Sequence, residues 1–178
     1  HYRGVVENDT VKKLADLESP SNILEIDLVR VVEPKIDGQS YDYSPIKDEN
    51  SNLLIPIEII YRNSLPAGSS VFRRLKSGDL KLKDIGLDEM PTPGQKLDPP
   101  ILDVSTKLEA TDRYISWSEA EEICNLSDEE LENIKDLTLT IDDFITKEAE
   151  KIGLSNEDGK IELGFDENRE IILVDALG

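Results

Sequence analysis

Two stretches of this 178-residue chain combine residue types and spacings that could do chemistry. The first lies near its end. Lys160, Glu162 and Gly164 alternate with Ile161, Leu163 and Phe165, the period of a strand with two different faces. After a short turn the apolar run Ile171-Ile172-Leu173-Val174 leads to Asp175. A symmetric four-residue turn over 166–169 would pair Phe165 with Glu170, set Lys160 opposite Asp175 and leave Glu162 diagonal to Asp175 on the same face. Diagonal neighbours in an antiparallel pair stand about 7–8 Å apart at the backbone. Two carboxylates so placed can close on one Mg²⁺ at about 2.1 Å per ligand. The lysine beside them would offset their charge or hold a substrate anion. An acidic residue ending so apolar a strand needs a partner or a metal; the competing reading is a hairpin whose charges face water.

The second stretch is Arg62 followed by the small-residue turn Ala67-Gly68-Ser69-Ser70. A guanidinium fork beside free backbone amides and hydroxyls is a common way to hold a phosphate or carboxylate. Glu58 shares the strand face of Arg62. The chain has no Walker loop and no G-x-G-x-x-G. The plainer reading is an ordinary turn followed by a solvated basic patch, Arg73, Arg74 and Lys76.

Composition narrows the classes. Lys plus Arg number 20 against 39 Asp plus Glu, a net charge of −19. That excludes a phosphate-backbone binder and any attraction to an anionic membrane face. No apolar run approaches the ~20 residues needed to span a bilayer. With one cysteine (Cys124) and one histidine (His1), a Ser-His-Asp triad, a Cys-His pair and a histidine zinc site are out of reach. A metal would need oxygen ligands, hence magnesium or calcium. The lone cysteine suits a reducing, cytoplasmic setting. The chain starts without Met and stops just after an apolar strand, and so reads as a piece of a longer protein cut at both ends.

The elements that must position these residues follow from periodicity. Leu53 to Arg62 is the most strand-like run, with Leu53, Ile55, Ile57, Ile59 and Tyr61 facing one way. A strand is expected from Leu24 to Val32, and a helix near Val11, Leu14 and Leu17. Residues 35–52 read as a loop or ragged hairpin. Residues 77–100, rich in Gly and Pro, read as a surface excursion. Ser116 with Glu119, and Ser127 with Glu130, are capping-box patterns for a short helix ending at Cys124 and a long one carrying Leu131, Ile134, Leu137, Ile141, Phe144, Ile145, Ala149 and Ile152 on one face. Cys124, Trp117 and that stripe are core. A final hairpin pairs 160–165 with 171–176. The fold class is α+β, an antiparallel sheet with helices packed on one side.

The segment Ile55-Pro56-Ile57-Glu58-Ile59-Ile60-Tyr61-Arg62 with Ala67-Gly68-Ser69, and the segment Asp158-Gly159-Lys160-Ile161-Glu162-Leu163-Gly164, resemble the two signatures of the SAICAR synthetase family. Ser105-Thr106-Lys107 followed by Asp112 is a looser third match. One extra residue between Arg62 and Ala67, one fewer between Lys107 and Asp112, and Ala-Leu-Gly after Asp175 mark a divergent branch.

The resemblance implies an ATP- and Mg²⁺-dependent ligase of purine biosynthesis, joining carboxyaminoimidazole ribonucleotide to L-aspartate through an acyl phosphate. It implies residues 1–54 as the remainder of a smaller nucleotide-binding lobe and 55–178 as a larger, ATP-grasp-like lobe. By the same resemblance, Arg62, Gly68 and Ser69 bind the ribonucleotide, and Lys160, Asp158, Lys107 and Asp112 line the catalytic site. Glu162 and Asp175 would hold the metal, and Glu58 is structural or supporting. A homo-oligomer is compatible with all of this, and the piece alone is expected to be inactive. The rival readings are a different ATP-dependent carboxylate ligase on the same lobe and a non-catalytic acidic interaction module.

Overall fold

In the computed structural model, which describes residues 2–38 and 40–175, Asn8 and Asp9 both take positive φ, 50° and 59°. A two-residue turn of this hand matches strand twist. It joins β1 (Tyr2–Glu7) to β2 (Thr10–Lys12), and β3 (Leu24–Ile26) pairs on the other side of β1. The turn consumes the residues expected to start a helix, which leaves a single 3-10 turn at Leu14–Asp16. The strand expected from Leu24 to Val32 stops at Ile26. Within 35–52 the chain makes the hairpin of β4 (Lys35–Asp37) and β5 (Ser40–Asp42), then the one-turn helix α1 (Ser44–Lys47).

The long strand is β6 (Leu53–Leu65), three residues longer than the periodicity suggests. Ser69 caps the helix that follows, α2 (Ser70–Ser77), its side chain accepting from the Val71 amide (3.4 Å). The Gly/Pro-rich stretch contains a 3-10 turn at Leu82–Ile85, but its end is strand, not excursion: β7 (Gln95–Thr106) includes Pro99 and Pro100. Proline is tolerated there because β7 is a sheet edge and because 97–100 bulges out opposite Asn63. Leu65, Val71, Leu80, Ile85, Leu97 and Ile101 form a small core under this region.

The helix α3 (Trp117–Cys124) is capped by Ser116, and α4 (Asp128–Lys151) opens on the full reciprocal box of Ser127 and Glu130 (3.2 and 2.8 Å). With β8 (Asp158–Phe165) and β9 (Ile171–Val174), the sheet order is β7-β6-β8-β9, all antiparallel. The main core joins Leu53, Ile55, Ile57 and Ile59 of β6 to Ile161 and Leu163 of β8 and to residues of α1, α3 and α4. Cys124 lies in it, and burial pushes its thiol pKa up. Trp117 packs against it.

The apolar stripe of α4 holds only for its first half. Phe144 and Ile152 are 60% and 73% exposed, while Asp142 is buried. Its carboxylate accepts from Asn63 Nδ2 (2.6 Å) and Asn156 Nδ2 (2.9 Å), so the second half of the helix docks through a polar latch. The short α2 instead covers the end of the opposite sheet face. No helix among the described residues is long and apolar enough to cross a membrane.

Candidate functional site

Strand alternation builds the site on the face away from α3 and α4. Along β6, Glu58, Ile60 and Arg62 share that face. Their partners on β7 are Ser105, Asp103 and Ile101, and on β8 Glu162, Lys160 and Asp158. Lys107 extends the β7 row, its amide donating to the Pro56 carbonyl (3.1 Å). Three segments distant in the sequence thus become three columns of one grid.

At its centre Glu58 and Glu162 are directly opposed, 6% and 5% exposed. Opposed like charges are destabilising, and a buried carboxylate needs a cation. Two lysines supply it. Lys107 Nζ lies 2.6 Å from Glu162 Oε1 and 3.7 Å from Glu58 Oε1. Lys160 Nζ lies 2.6 Å from Glu58 Oε1 and 3.8 Å from Glu162 Oε1. The hydrogen bond that Lys160 donates to Glu58 is the main reason the Lys160 pKa is raised, and the charges of Glu162 and Asp112 add to it. Asp112, exposed in the loop after β7, thus joins the site through its field. Glu58 is the residue whose place here the sequence did not reveal, because its spacing says only that it shares a face with Arg62.

At the far end of the grid Arg62 is nearly fully buried. Its Nη1 donates to Asp158 Oδ2 (3.3 Å), and its Nη2 donates to Ser70 Oγ (3.4 Å) and Tyr114 Oη (3.2 Å). Its Nε has no partner among the described residues. Asp103 Oδ2 lies 3.6 Å from its Nη2. Asp103 is chiefly the bidentate partner of Arg74, whose guanidinium stacks 3.8 Å from the Tyr114 ring centroid. Arg74 is therefore no part of a solvated basic patch. Ser69 spends its hydroxyl on the cap of α2, and it is Ser70, not Ser69, that meets Arg62. Gly68 and Ser69 line an open concavity of about 870 Å³ with Ser70, Arg73 and Lys76, and a Cβ at Gly68 would touch nothing within 4 Å. Tyr114, Arg74 and Asp103 escape a sequence reading because they converge only through the bridge pairing Tyr114 with Ser105 and through α2.

The hairpin register differs from the symmetric expectation. Asp166 N–H donates to the Glu170 carbonyl (3.0 Å), and Asp166 Oδ1 accepts from the amides of Asn168 and Glu170, both at 2.8 Å. Arg169 takes φ 66°, closing a three-residue loop. Glu162 therefore pairs with Val174, and Gly164 with Ile172. Lys160 is not opposite Asp175, and Glu162 is not diagonal to it on the ladder. Asp175 follows the end of β9 with φ 59° and is exposed, so the pleat does not fix its direction. It still stands one residue beyond the partner of Glu162. Ala176, expected in the strand, lies outside the described residues. At this end a cleft of about 380 Å³ separates Leu28 and Val29 from Ile172 and the 166–168 turn. Down β8 the order is cleft, charge quartet, then Arg62 with α2.

Comparison with known proteins gives a consistent answer. Residues 50–177 match the family model of SAICAR synthetase. A protein of Archaeoglobus fulgidus, provisionally named phosphoribosylaminoimidazole-succinocarboxamide synthase, is 49% identical over 178 residues, which is 100% of this chain and 52% of the relative. The enzyme of that name from Thermoplasma acidophilum is 41% identical over 129 residues, 72% of this chain and 43% of its own. Among solved structures, a SAICAR synthetase in complex with ADP superposes with TM-score 0.56 at 25% identity, over 70% of this chain and 47% of that one. The Saccharomyces cerevisiae SAICAR synthase complexed with SAICAR gives 0.55 at 30% identity, over 70% and 39%. The chain spans about half the length of the curated relatives it matches.

Proposed function

Because this chain belongs to the SAICAR synthetase family, we propose that it carries the charge centre and the substrate-phosphate clamp of an ATP-dependent carbon–nitrogen ligase. The reaction joins carboxyaminoimidazole ribonucleotide to L-aspartate, in the cytoplasm, as a step of purine biosynthesis. Residues 1–54 are the remainder of a smaller nucleotide-binding lobe and 55–178 the larger one, with the cleft between Leu28, Val29 and Ile172 taking the nucleotide. The observation that carries the reading is the grid itself. One sheet face places a cleft, two buried carboxylates with two lysines, and a buried arginine beside a helix N-terminus in a row.

The row suits transfer between two bound phosphorylated molecules. Arg62, Ser70 and the α2 amides hold the ribonucleotide phosphate, and Gly68 and Ser69 shape the turn that exposes those amides. Lys160 and Lys107 then face the substrate carboxylate, which attacks the terminal phosphate of ATP and breaks its bond to the departing ADP. The aspartate amine attacks the resulting acyl phosphate and expels phosphate. Asp158 steadies Arg62 from β8, and Asp112 biases Lys160 toward its charged form. No protein nucleophile is needed; positioning and charge stabilisation carry the rate.

The donor set fits magnesium. Glu162 offers hard oxygens, with Lys107 bound through one of them, and Asp175 stands close by. No group of three or more metal-ligating side chains occurs among the described residues, so a cation here would take one or two carboxylates and complete its shell with phosphates and water. Such a cation would neutralise charge on the transferring phosphoryl group.

A coupled ADP-release assay on the intact protein tests the proposal. ADP release should require both ribonucleotide and aspartate; release that ignores the ribonucleotide would refute it.

A further inference from the structure

Resting on the reading of the Arg62 end as a phosphate clamp, we infer that Tyr114 is a further substrate contact, the donor that the clamp holds in reserve. The argument is a count of hydrogens. Arg62 Nη2 donates to both Ser70 Oγ and Tyr114 Oη, which stand 2.9 Å from one another. Each hydroxyl therefore already accepts from the guanidinium. Of their two hydrogens, one is spent in the bond between them. The other has no acceptor among the described residues, whichever hydroxyl carries it. Both side chains are half-buried, so the spare hydrogen is within reach of a ligand.

The unmade bonds of the hydroxyl pair are donor bonds, and beside a guanidinium that Asp158 neutralises only in part they suit a ligand rich in acceptors. The Arg62 Nε is likewise without a partner, and Arg62 is nine-tenths buried. Unmade bonds of this kind are costly unless a ligand completes them. A phosphate dianion has three acceptor oxygens and no donor.

Tyr114 is also built to stay in place. Its backbone bridges to Ser105 on the edge strand, and its ring lies under the Arg74 guanidinium. Arg74 is itself buried and tied to Asp103, so the phenol ring is held by its face against a fixed group. Its ordering cost is met by the fold, before any ligand arrives.

Calorimetric titration of the intact protein with the ribonucleotide and with its dephosphorylated ribonucleoside tests this. The readout is the ratio of the two dissociation constants. In the wild type the ribonucleotide binds far more tightly. Tyr114→Phe keeps the ring under Arg74 and should lower that ratio about three- to tenfold, the worth of one hydrogen bond. The ribonucleoside constant should not move. Ser70→Ala should lower the ratio similarly, and the double variant little further, because both remove the same pair. An unchanged ratio in Tyr114→Phe, or equal weakening of both ligands, would overturn the role of Tyr114 while leaving the clamp standing. A wild-type ratio near one would overturn the clamp itself, and the inference with it.

Discussion

Glu58 and Glu162 are directly paired across β6 and β8, both buried, and each holds a lysine within 2.6 Å through its Oε1 atom. The pairing makes four charges from three strands one neutral unit. Neither carboxylate is tolerable alone at such burial, and neither lysine has a comparable partner elsewhere among the described residues. The residues of the unit are therefore fixed by each other, which is the preorganisation that charge-stabilising catalysis requires.

Replacing Glu58 by Gln leaves two ammonium groups with one carboxylate. Lys160 is half exposed, so solvent screens the loss and stability should fall by no more than about 1 kcal/mol. Turnover should fall about a hundredfold, because the lysine is no longer held in position. Steady-state kinetics beside a thermal melt checks this; a collapsed melt with undiminished turnover would make Glu58 a scaffold residue.

Glu162→Gln keeps the shape and removes the charge. Turnover should drop by orders of magnitude, and the Mg²⁺ concentration for half-maximal activity should rise. A magnesium titration of the variant decides it, since wild-type dependence on the metal would remove Glu162 from the metal site.

Arg62→Lys keeps the charge and loses the planar fork that reaches Asp158, Ser70 and Tyr114 together. The KM for the ribonucleotide should rise about ten- to a hundredfold, the worth of a charge-assisted contact, while the KM for ATP stays near its original value. Equal changes in both would contradict the placement of the phosphate at this end of the row.

Gly159 lies under Tyr61, where an added Cβ would come within 2.2 Å of the phenol oxygen and 2.4 Å of Cζ. Tyr61 is fully buried and paired with Gly159 across the sheet. Gly159→Ala should cost about 1–3 kcal/mol, the range for overpacking a core. Chemical denaturation measures it.

Glu7 accepts from Lys12 Nζ (2.5 Å), from the amides of Glu18 and Ser19, and from the Ser19 hydroxyl. Led by the Lys12 bond, these hold its pKa at about 2, well below the usual carboxylate range. A depressed folded-state pKa means that its contribution is complete above about pH 4.5 and is lost as pH falls toward 2. The protection of the Ser19 amide, its exchange relative to an unstructured peptide at the same pH, should therefore fall across that window in the wild type. Glu7→Gln should show weaker protection at pH 5 and little further loss on acidification.

The alternation over 53–62 and 160–165 determined by itself which residues of each strand share a face, because the strand period of two is a property of the backbone and needs no partner. The two helix starts at Ser116 and Ser127 were equally local, since a cap is made within one turn. Glu162 with Lys160, and Arg62 with Glu58, were thus legible as two separate same-face pairs. How the faces meet was not. The β8–β9 turn closes over three residues because Arg169 sits at φ 66°, where its side chain bonds Glu130 of α4 (2.6 Å) and the Asn50 and Asn125 carbonyls, both at 2.9 Å. Those partners are distant in sequence, so no local pattern announces them, and a one-residue change of register turns every following side chain to the other face. Asp175 lost its expected place opposite Lys160 for that reason. Glu58, Arg74, Asp103 and Tyr114 gained theirs because burial beside an opposite charge is decided only when three strands and α2 come together.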